Sequence, residues 1–315
     1  MQKIKSPWLA KKPVVPFLAV AANWAIISSC IAAGLHLHSW LISLLAIVVI
    51  GARQHALFVM IHEAAHHHIS RFKFVNDWTA DLLCAFPLLF DTDVYRKNHL
   101  AHHRHLNTEQ DPDWVRKVGQ TDWLFPMAAS QFTRFVPRFI LKTGPLEWGY
   151  ILWRFSGFGE KTRWQQQPGF LLFKAAYFAG ALALMAYCGA LPAFLLYWIV
   201  PMFLVLPAVG RLRSIAEHFA VSYADDLNST RDVRAGWLEG FLLAPHNVHF
   251  HLTHHVHPHI PFYNLPEAHR QICESGAFAG AHINGSYLMP FEKSVLADVL
   301  NGPATAMPQP LKKVS

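Results

Sequence analysis

The chain has 315 residues, of which 53% are hydrophobic and only 15% are charged, and its formal net charge is +7. This composition excludes an intrinsically disordered chain, a collagen and a coiled coil, and the mean hydropathy of +0.21 is high for a water-soluble domain. The positive charge would suit a nucleic-acid binder, but so apolar a chain fits an anionic lipid surface better. We therefore expect a membrane protein that binds no nucleic acid.

Four apolar segments have the length that a bilayer-crossing helix needs, near 20 residues each. They cover residues 17–37, 39–60, 170–189 and 192–210. Only a few residues separate the first segment from the second and the third from the fourth, so we expect two transmembrane hairpins. The first segment has transmembrane length and no clear cleavage site, which indicates a span rather than a signal peptide.

The basic residues indicate how these hairpins are oriented. All but two of the 27 Lys and Arg residues lie outside the predicted spans, on one side of them. The two exceptions, Arg53 and Lys174, lie within spans towards that same side. The positive-inside rule therefore places both termini and the long central loop in the cytoplasm. Because a charged or imidazole side chain is costly in lipid, we expect Arg53 and His55 to face the protein interior.

Two other regions are expected to be helical without crossing the membrane. Residues 74–90 are apolar but interrupted by two aspartates and a proline, which predicts a short interfacial or re-entrant helix. Residues 121–165 mix Trp, Phe and Arg, as amphipathic helices at a membrane surface do. We expect one membrane-embedded domain over residues 1–300 and a disordered tail over 301–315. The four widely spaced cysteines predict buried, unpaired thiols.

Most of the 21 histidines fall into clusters. Three clusters have the sequences His62-Glu-Ala-Ala-His66, His99-Leu-Ala-His102-His103 and His251-Leu-Thr-His254-His255. Their i,i+3 and i,i+4 spacings can place the imidazoles of each cluster on one helical face. A fourth element, Glu217-His218, directly follows the last span. All four elements are expected on the cytoplasmic side, where together they would form a metal cage.

Imidazole nitrogen is a good ligand for iron, zinc or copper. Eight or nine candidate ligands exceed what one four- to six-coordinate ion uses, which predicts two ions. Iron is favoured, because redox-inert zinc needs no such excess of nitrogen whereas two irons can activate oxygen. The isolated histidines are better explained as surface or hydrogen-bonded core residues, and the other clustered ones as solvated neighbours or partners of ligands.

The clusters resemble the three histidine boxes of the membrane fatty acid desaturase/hydroxylase superfamily, which have the forms HxxxH, HxxHH and HxxHH. HEAAH, HLAHH and HLTHH match them in order. Glu217-His218 is similar to an additional ligand of the family before the third box, and Asp111-Pro-Asp113 to a segment found after the second box in several members. The resemblance extends over residues 15–270.

The resemblance implies a set of metal ligands. These are His62, His66, His99, His102, His103, His218, His251, His254 and His255. A longer version of the first-box spacing would use His67 instead of His66, although helical facing favours His66. In the third box His249 and His257 could compete for the role of metal ligand, because the assignment there depends on the HxxHH spacing alone.

The same resemblance implies an all-α enzyme with four spans and a cytoplasmic helical cap. In such enzymes two non-haem irons use O2 and two external electrons to attack an unactivated C–H bond of an acyl or alkyl chain. That chemistry requires an apolar tunnel that excludes water. The HPGG motif of an appended cytochrome b5 is absent, so we expect a separate electron donor such as a ferredoxin, attracted by the basic cytoplasmic face.

Other metal chemistries account for less of the sequence. Residues 62–66 also form the HExxH motif of zinc proteases, with Glu63 as general base. An intramembrane protease of this kind needs an Asp ligand in a later span, and neither 170–189 nor 192–210 contains Asp or Glu. A carboxylate di-iron bundle requires a second ExxH, and a b-type haem protein requires His pairs deep within facing spans. A metal-binding membrane protein without catalytic activity stays open.

Desaturation, hydroxylation and ketolation begin with the same hydrogen abstraction, so the boxes alone do not separate them. The third-box context, HNVHFHLTHH followed by IPFYNLPEAH, is more similar to bacterial acyl-lipid desaturases. We therefore expect a fatty acyl desaturase. The alternative is a hydroxylase or ketolase of an acyl, alkane or carotenoid-like chain.

Overall fold

The fold contains two pairs of long helices, each pair joined by a short link. The computed structural model describes residues 6–157 and 168–302. The long helices are α1 (Val15–His36), α2 (Trp40–Ala65), α7 (Pro168–Tyr187) and α8 (Leu191–His218). All four are long and apolar enough to cross a membrane, which confirms the predicted four-span architecture.

Shorter helices lie between and after the long ones. They are α3 (Lys73–Ala80), α4 (Thr92–Arg104), α5 (Ala129–Arg138), α6 (Gly144–Phe155), α9 (Trp237–Leu242), α10 (His251–Val256), α11 (Leu265–Glu274) and α12 (Val295–Asn301). Two short strands, β1 (Asp232–Val233) and β2 (Ile283–Asn284), pair in parallel with Asp232 opposite Ile283. The fold class is all-α, as predicted.

Helices α2 and α8 extend beyond the segments predicted from hydropathy. Those segments end at residues 60 and 210, whereas the helices end at Ala65 and His218. Hydropathy detects the part of a helix that suits lipid, but backbone hydrogen bonding continues into the polar residues that follow. The additional turns carry His62 and His218, which therefore sit on well-ordered helix ends.

Helix α2 lies at the centre of the fold and packs against α1, α4 and α8. Nearly every residue from Ile50 to Ala65 is buried. Gly51 permits a close approach to α8, because a Cβ atom at this position would lie 2.4 Å from the Cβ of Val205. Arg53 and His55 are both buried in the protein, as the sequence predicts.

The region predicted to be interfacial or re-entrant does not form a span. Helix α3 continues through a π turn and a short 3-10 turn that end at Leu88. The indole of Trp24 in α1 donates to the carbonyl of Leu83 at 2.8 Å, and that of Trp198 in α8 donates to Pro87 at 3.0 Å. These hydrogen bonds fix the region against the spans.

Helices α5 and α6 account for much of the predicted amphipathic region, and α6 exposes Leu146 and Trp153. Residues 158–167 and nearly all of the predicted tail lie outside the described residues. All four cysteines are free, but only Cys84 is buried and Cys188 is exposed. The prediction of buried thiols is therefore confirmed for Cys84 and wrong for Cys188, which lies in the link between α7 and α8, while Cys30 and Cys273 are half-buried.

The close approach at Gly51 generates a stability prediction. Gly51→Val should destabilise the protein by about 1–3 kcal/mol, because the new side chain overlaps Val205 in a packed helix interface. Gly180→Val in α7 is the matched control, since a Cβ there meets no atom within 4 Å. Thermal unfolding of the purified variants in detergent measures the difference. Equal midpoints for the two variants would show that α2 and α8 do not pack as described.

Candidate metal centre

The structure brings all nine predicted ligand histidines together in two adjacent groups. Site A consists of His62, His66, His99, His103 and His254, and site B consists of His102, His218, His251 and His255. Within each site, one ring nitrogen from every histidine lies within 4.8 Å of the others. Helices α2, α4, α8 and α10 contribute the rings, so residues distant in sequence converge at one place.

The spacing of the ring nitrogens suits ligands that share one ion. In site A the Nε2 of His99 lies 2.8 Å from that of His66 and 3.1 Å from that of His103. In site B the Nε2 atoms of His218 and His251 are 2.9 Å apart. Two imidazoles bound at right angles to one ion, at about 2.0–2.1 Å, would have their nitrogens about 3 Å apart.

Two carboxylates determine which ring nitrogen carries the proton. The Nδ1 of His62 lies 3.2 Å from Oε1 of Glu63, and the Nδ1 of His102 lies 2.9 Å from Oδ2 of Asp111. Because a carboxylate accepts, each Nδ1 carries the hydrogen and each Nε2 presents a lone pair. The buried Nε2 of His62 has no hydrogen-bond partner among the described residues. A buried lone pair of this kind is costly unless a cation or a donor satisfies it.

Glu63 is held by three donors. Besides His62, it accepts from Nδ1 of His68 at 3.0 Å and from the backbone N–H of Phe262 at 3.1 Å. The side chain therefore ties the end of α2 to the segment that follows the third histidine box. The sequence suggested Glu63 as a protease base or as the Glu of an ExxH motif, yet an acid beside a ligand histidine is also the pattern of an orienting carboxylate.

Two acids lie beside site B, and Asp111 orients one of its ligands. Asp111 accepts from the backbone N–H of Asn107 at 3.0 Å as well as from His102, which fixes the loop after α4. Glu217 lies 3.3 Å from Nδ1 of His251 and accepts from Arg213 at 2.5 Å. Sequence reasoning noted Asp111 and Glu217 as features of the resemblance without assigning them a role.

Three of the ligand histidines outside the spans are held in the neutral form that metal ligands require. Burial, reinforced by the neighbouring imidazoles, lowers the pKa of His99, His254 and His255 well below the ordinary histidine value. Neutral imidazoles with converging nitrogens present a strong donor set for a cation. The chemistry of both sites therefore fits a transition-metal ion.

The structure separates the competing histidines from the two sites. His67 has a φ of +58°, so the chain turns directly after His66 and the His67 ring leaves the ligand face. His249 and His257 belong to neither site, and the ring of His257 packs 5.9 Å from that of Trp8. This geometry favours His66 in the first box and the HxxHH histidines in the third.

A cavity of about 660 Å³ lies beside site B, and His102, His218 and His251 form part of its wall. Much of the remaining wall is apolar and includes Phe58, Tyr95, Trp148, Ile151, Phe155 and Leu206. A cavity of this size accommodates one chain-like ligand next to the histidines. His55 also lines it, and neither of its ring nitrogens has a hydrogen-bond partner among the described residues.

Comparison with known proteins agrees with this geometry. The sequence matches the fatty acid desaturase family over residues 38–287, which is most of its length. The chain belongs to the fatty acid desaturase family. It is therefore an oxidoreductase.

Several curated desaturases are similar to the chain. A dihydrorhizobitoxine desaturase from Bradyrhizobium elkanii is 29% identical, over 82% of this chain and 75% of that protein. A chloroplastic omega-6 fatty acid desaturase from Glycine max is 24% identical over 75% of this chain and 57% of its own length. An sn-1 oleoyl-lipid 12-desaturase from Synechocystis is 25% identical, over 69% of this chain and 64% of that protein. The chain thus spans less than two thirds of the latter two relatives.

The orienting role of Asp111 in this desaturase can be measured directly. Asp111→Asn should weaken metal binding at site B by about ten- to hundredfold, because His102 loses the carboxylate that fixes its tautomer. Competition with a chelator on the purified protein measures the affinity. Asp226→Asn removes an exposed carboxylate and should leave the affinity unchanged. Equal affinities for both variants would contradict the orienting role.

Proposed function

We propose that the chain is an oxygen-dependent, di-iron desaturase of a lipid acyl chain. One iron would be held by His62, His66, His99, His103 and His254 of site A, the other by His102, His218, His251 and His255 of site B. The observation that carries this proposal is the convergence of nine imidazoles in two adjacent sites beside a largely apolar cavity. Iron bound there would supply oxygen activation and hydrogen abstraction from an unactivated C–H bond.

The protein's own residues hold the acyl chain of the substrate, keep out water and fix the imidazoles. Phe58 packs edge-on against Tyr95, with ring centroids 5.1 Å apart, and forms part of the apolar wall. Tyr95 in turn stacks on His99 at 5.5 Å. An acyl chain in the cavity would therefore lie against aromatic rings that also shield the ligands from solvent.

Two further elements of the proposal follow from charge. The positive-inside distribution supports an integral membrane protein whose termini and metal sites face the cytoplasm. Two electrons per turnover would come from a separate donor such as a ferredoxin. An acidic donor would be attracted to the same basic face.

Desaturation is favoured over hydroxylation because the similar proteins from Bradyrhizobium elkanii, Glycine max and Synechocystis all carry desaturase names. Two of those names specify a fatty acid or an oleoyl lipid, which supports an acyl substrate. A hydroxylase or ketolase uses the same metal chemistry, so the product must separate these activities.

The proposal is tested by expressing the full chain with a ferredoxin and its reductase in a bacterial host, followed by mass spectrometry of total fatty acids. We expect a product that has lost two hydrogen atoms and gained a double bond. A product heavier by one oxygen atom would instead identify a hydroxylase. Unchanged lipids with an active redox partner would contradict both activities.

Ligand variants provide the control for this assay. Replacing a single ligand by alanine should abolish the product without affecting membrane insertion. The four positions to test are His102, His103, His254 and His255. His259→Ala removes an exposed histidine near the third box and should retain full activity. Full activity in two of the four ligand variants would contradict the assignment of the sites.

A further inference from the structure

The cavity beside site B has a charged end as well as an apolar wall. Its charged lining residues are Asp113, Arg116, Lys117, Glu147, Arg211, Arg213 and Glu217, so four cations face three carboxylates. Two of the cations are neutralised within the protein, because Arg116 pairs with Asp113, and Arg213 pairs with Glu217 at 2.5 Å. Lys117 and Arg211 are left with weaker partners.

Lys117 has no carboxylate within 4.0 Å among the described residues. Its Nζ donates to the hydroxyl of Ser214 at 2.8 Å and lies 5.1 Å from the ring centre of Trp123. Burial lowers the pKa of Lys117 to about 8, so most of the side chain is still charged at neutral pH. An ammonium group in such surroundings has unused capacity to donate hydrogen bonds.

Arg211 is only 6% exposed and lies against the same indole, with its guanidinium carbon 3.4 Å from the ring centre of Trp123. Its Nη2 donates to the backbone carbonyl of Asp122, but its buried Nε has no hydrogen-bond partner in the described part of the chain. Its Nη1 lies 3.5 Å from Glu147 without forming a hydrogen bond. Buried donors are nearly always satisfied, so these free donors indicate a missing acceptor.

A compact anion attached to an apolar chain would accept from both cations and fill the apolar part of the cavity. Lys117 is hydrogen-bonded to Ser214, which lies about 6 Å before His218 along the axis of α8. Arg211 lies about 10 Å before His218 on the same helix. A guanidinium fork matches a carboxylate in two parallel hydrogen bonds. The enclosed position of Arg211 suits a small head group, and the cavity volume suits a single-chain ligand.

We propose that Lys117 and Arg211 bind the carboxylate of a free fatty acid, whose alkyl chain fills the apolar part of the cavity beside site B. This inference rests on the proposed desaturase function and replaces the esterified acyl chain by the free acid as the form of substrate that binds. The bound fatty acid would be aligned by its carboxylate, and the aromatic wall would hold its alkyl part next to the histidines.

The test is equilibrium binding of radiolabelled palmitate to the purified full-length chain in neutral detergent, both metal-free and iron-loaded. Palmitate should bind at least about tenfold more tightly than its methyl ester, which lacks the charge. Lys117→Met and Arg211→Gln should each weaken palmitate binding by about ten- to hundredfold and leave ester binding unchanged. Lys117→Arg should restore most of the affinity, which a misfolded variant would not.

Two matched controls remove the same charges outside the cavity. Lys142→Met and Arg134→Gln alter exposed side chains of the neighbouring helical segment and should bind palmitate like the original protein. Equal affinity for palmitate and its ester, or undiminished palmitate binding by both cavity variants, would overturn the inference. Lys117-dependent binding of phosphatidylglycerol from vesicles, with no such dependence for palmitate, would also overturn it by identifying a phosphate head group.

The same preparation separates this inference from the proposed function. If iron-loaded protein supplied with O2, a ferredoxin and its reductase binds palmitate through Lys117 but forms no unsaturated or oxygenated product, the desaturase proposal fails and the binding site stands. If products form equally from acid and ester in the original protein and in Lys117→Met, the desaturase proposal stands and the carboxylate site is wrong.

Discussion

The arrangement of this protein depends on the convergence of nine buried imidazoles whose nitrogens lie close together. Neutral imidazoles with converging lone pairs repel one another unless a cation lies between them. The surrounding structure must therefore hold them in place, and metal binding and the stability of this region must be coupled. This requirement explains why the ligands sit on helices that are themselves packed into the core.

Three of the four helices that carry ligands are fixed by a specific contact. Gly51 allows a close approach between α2, which carries His62, and α8, which carries His218. Helix α10 is tied down by Asp232, which accepts from the hydroxyl of Thr253 at 2.6 Å and from Nδ1 of His269 at 2.8 Å. These contacts lie behind the ligands, so the ring positions follow from packing that does not itself involve a metal.

The sequence predicts the spans and the ligand candidates well, because both depend on local patterns. Apolar length identifies α1, α2, α7 and α8, and HxxHH spacing identifies residues that share a helical face. The division of the histidines into two sites could not be predicted, since His102 and His103 are adjacent in sequence yet enter different sites. That division depends on how α4 is placed relative to the other helices that carry ligands, which is a property of tertiary packing.

The same limit applies to the cavity, whose charged end joins Lys117 in a loop to Arg211 on α8. Hydropathy also fails to predict the last turns of α2 and α8, because the apolar pattern ends before these helices end.

The most direct test of the account is the metal content of the purified chain after expression in iron-rich medium. We predict two irons per chain, one for each site. One zinc per chain, or no bound metal, would contradict the account.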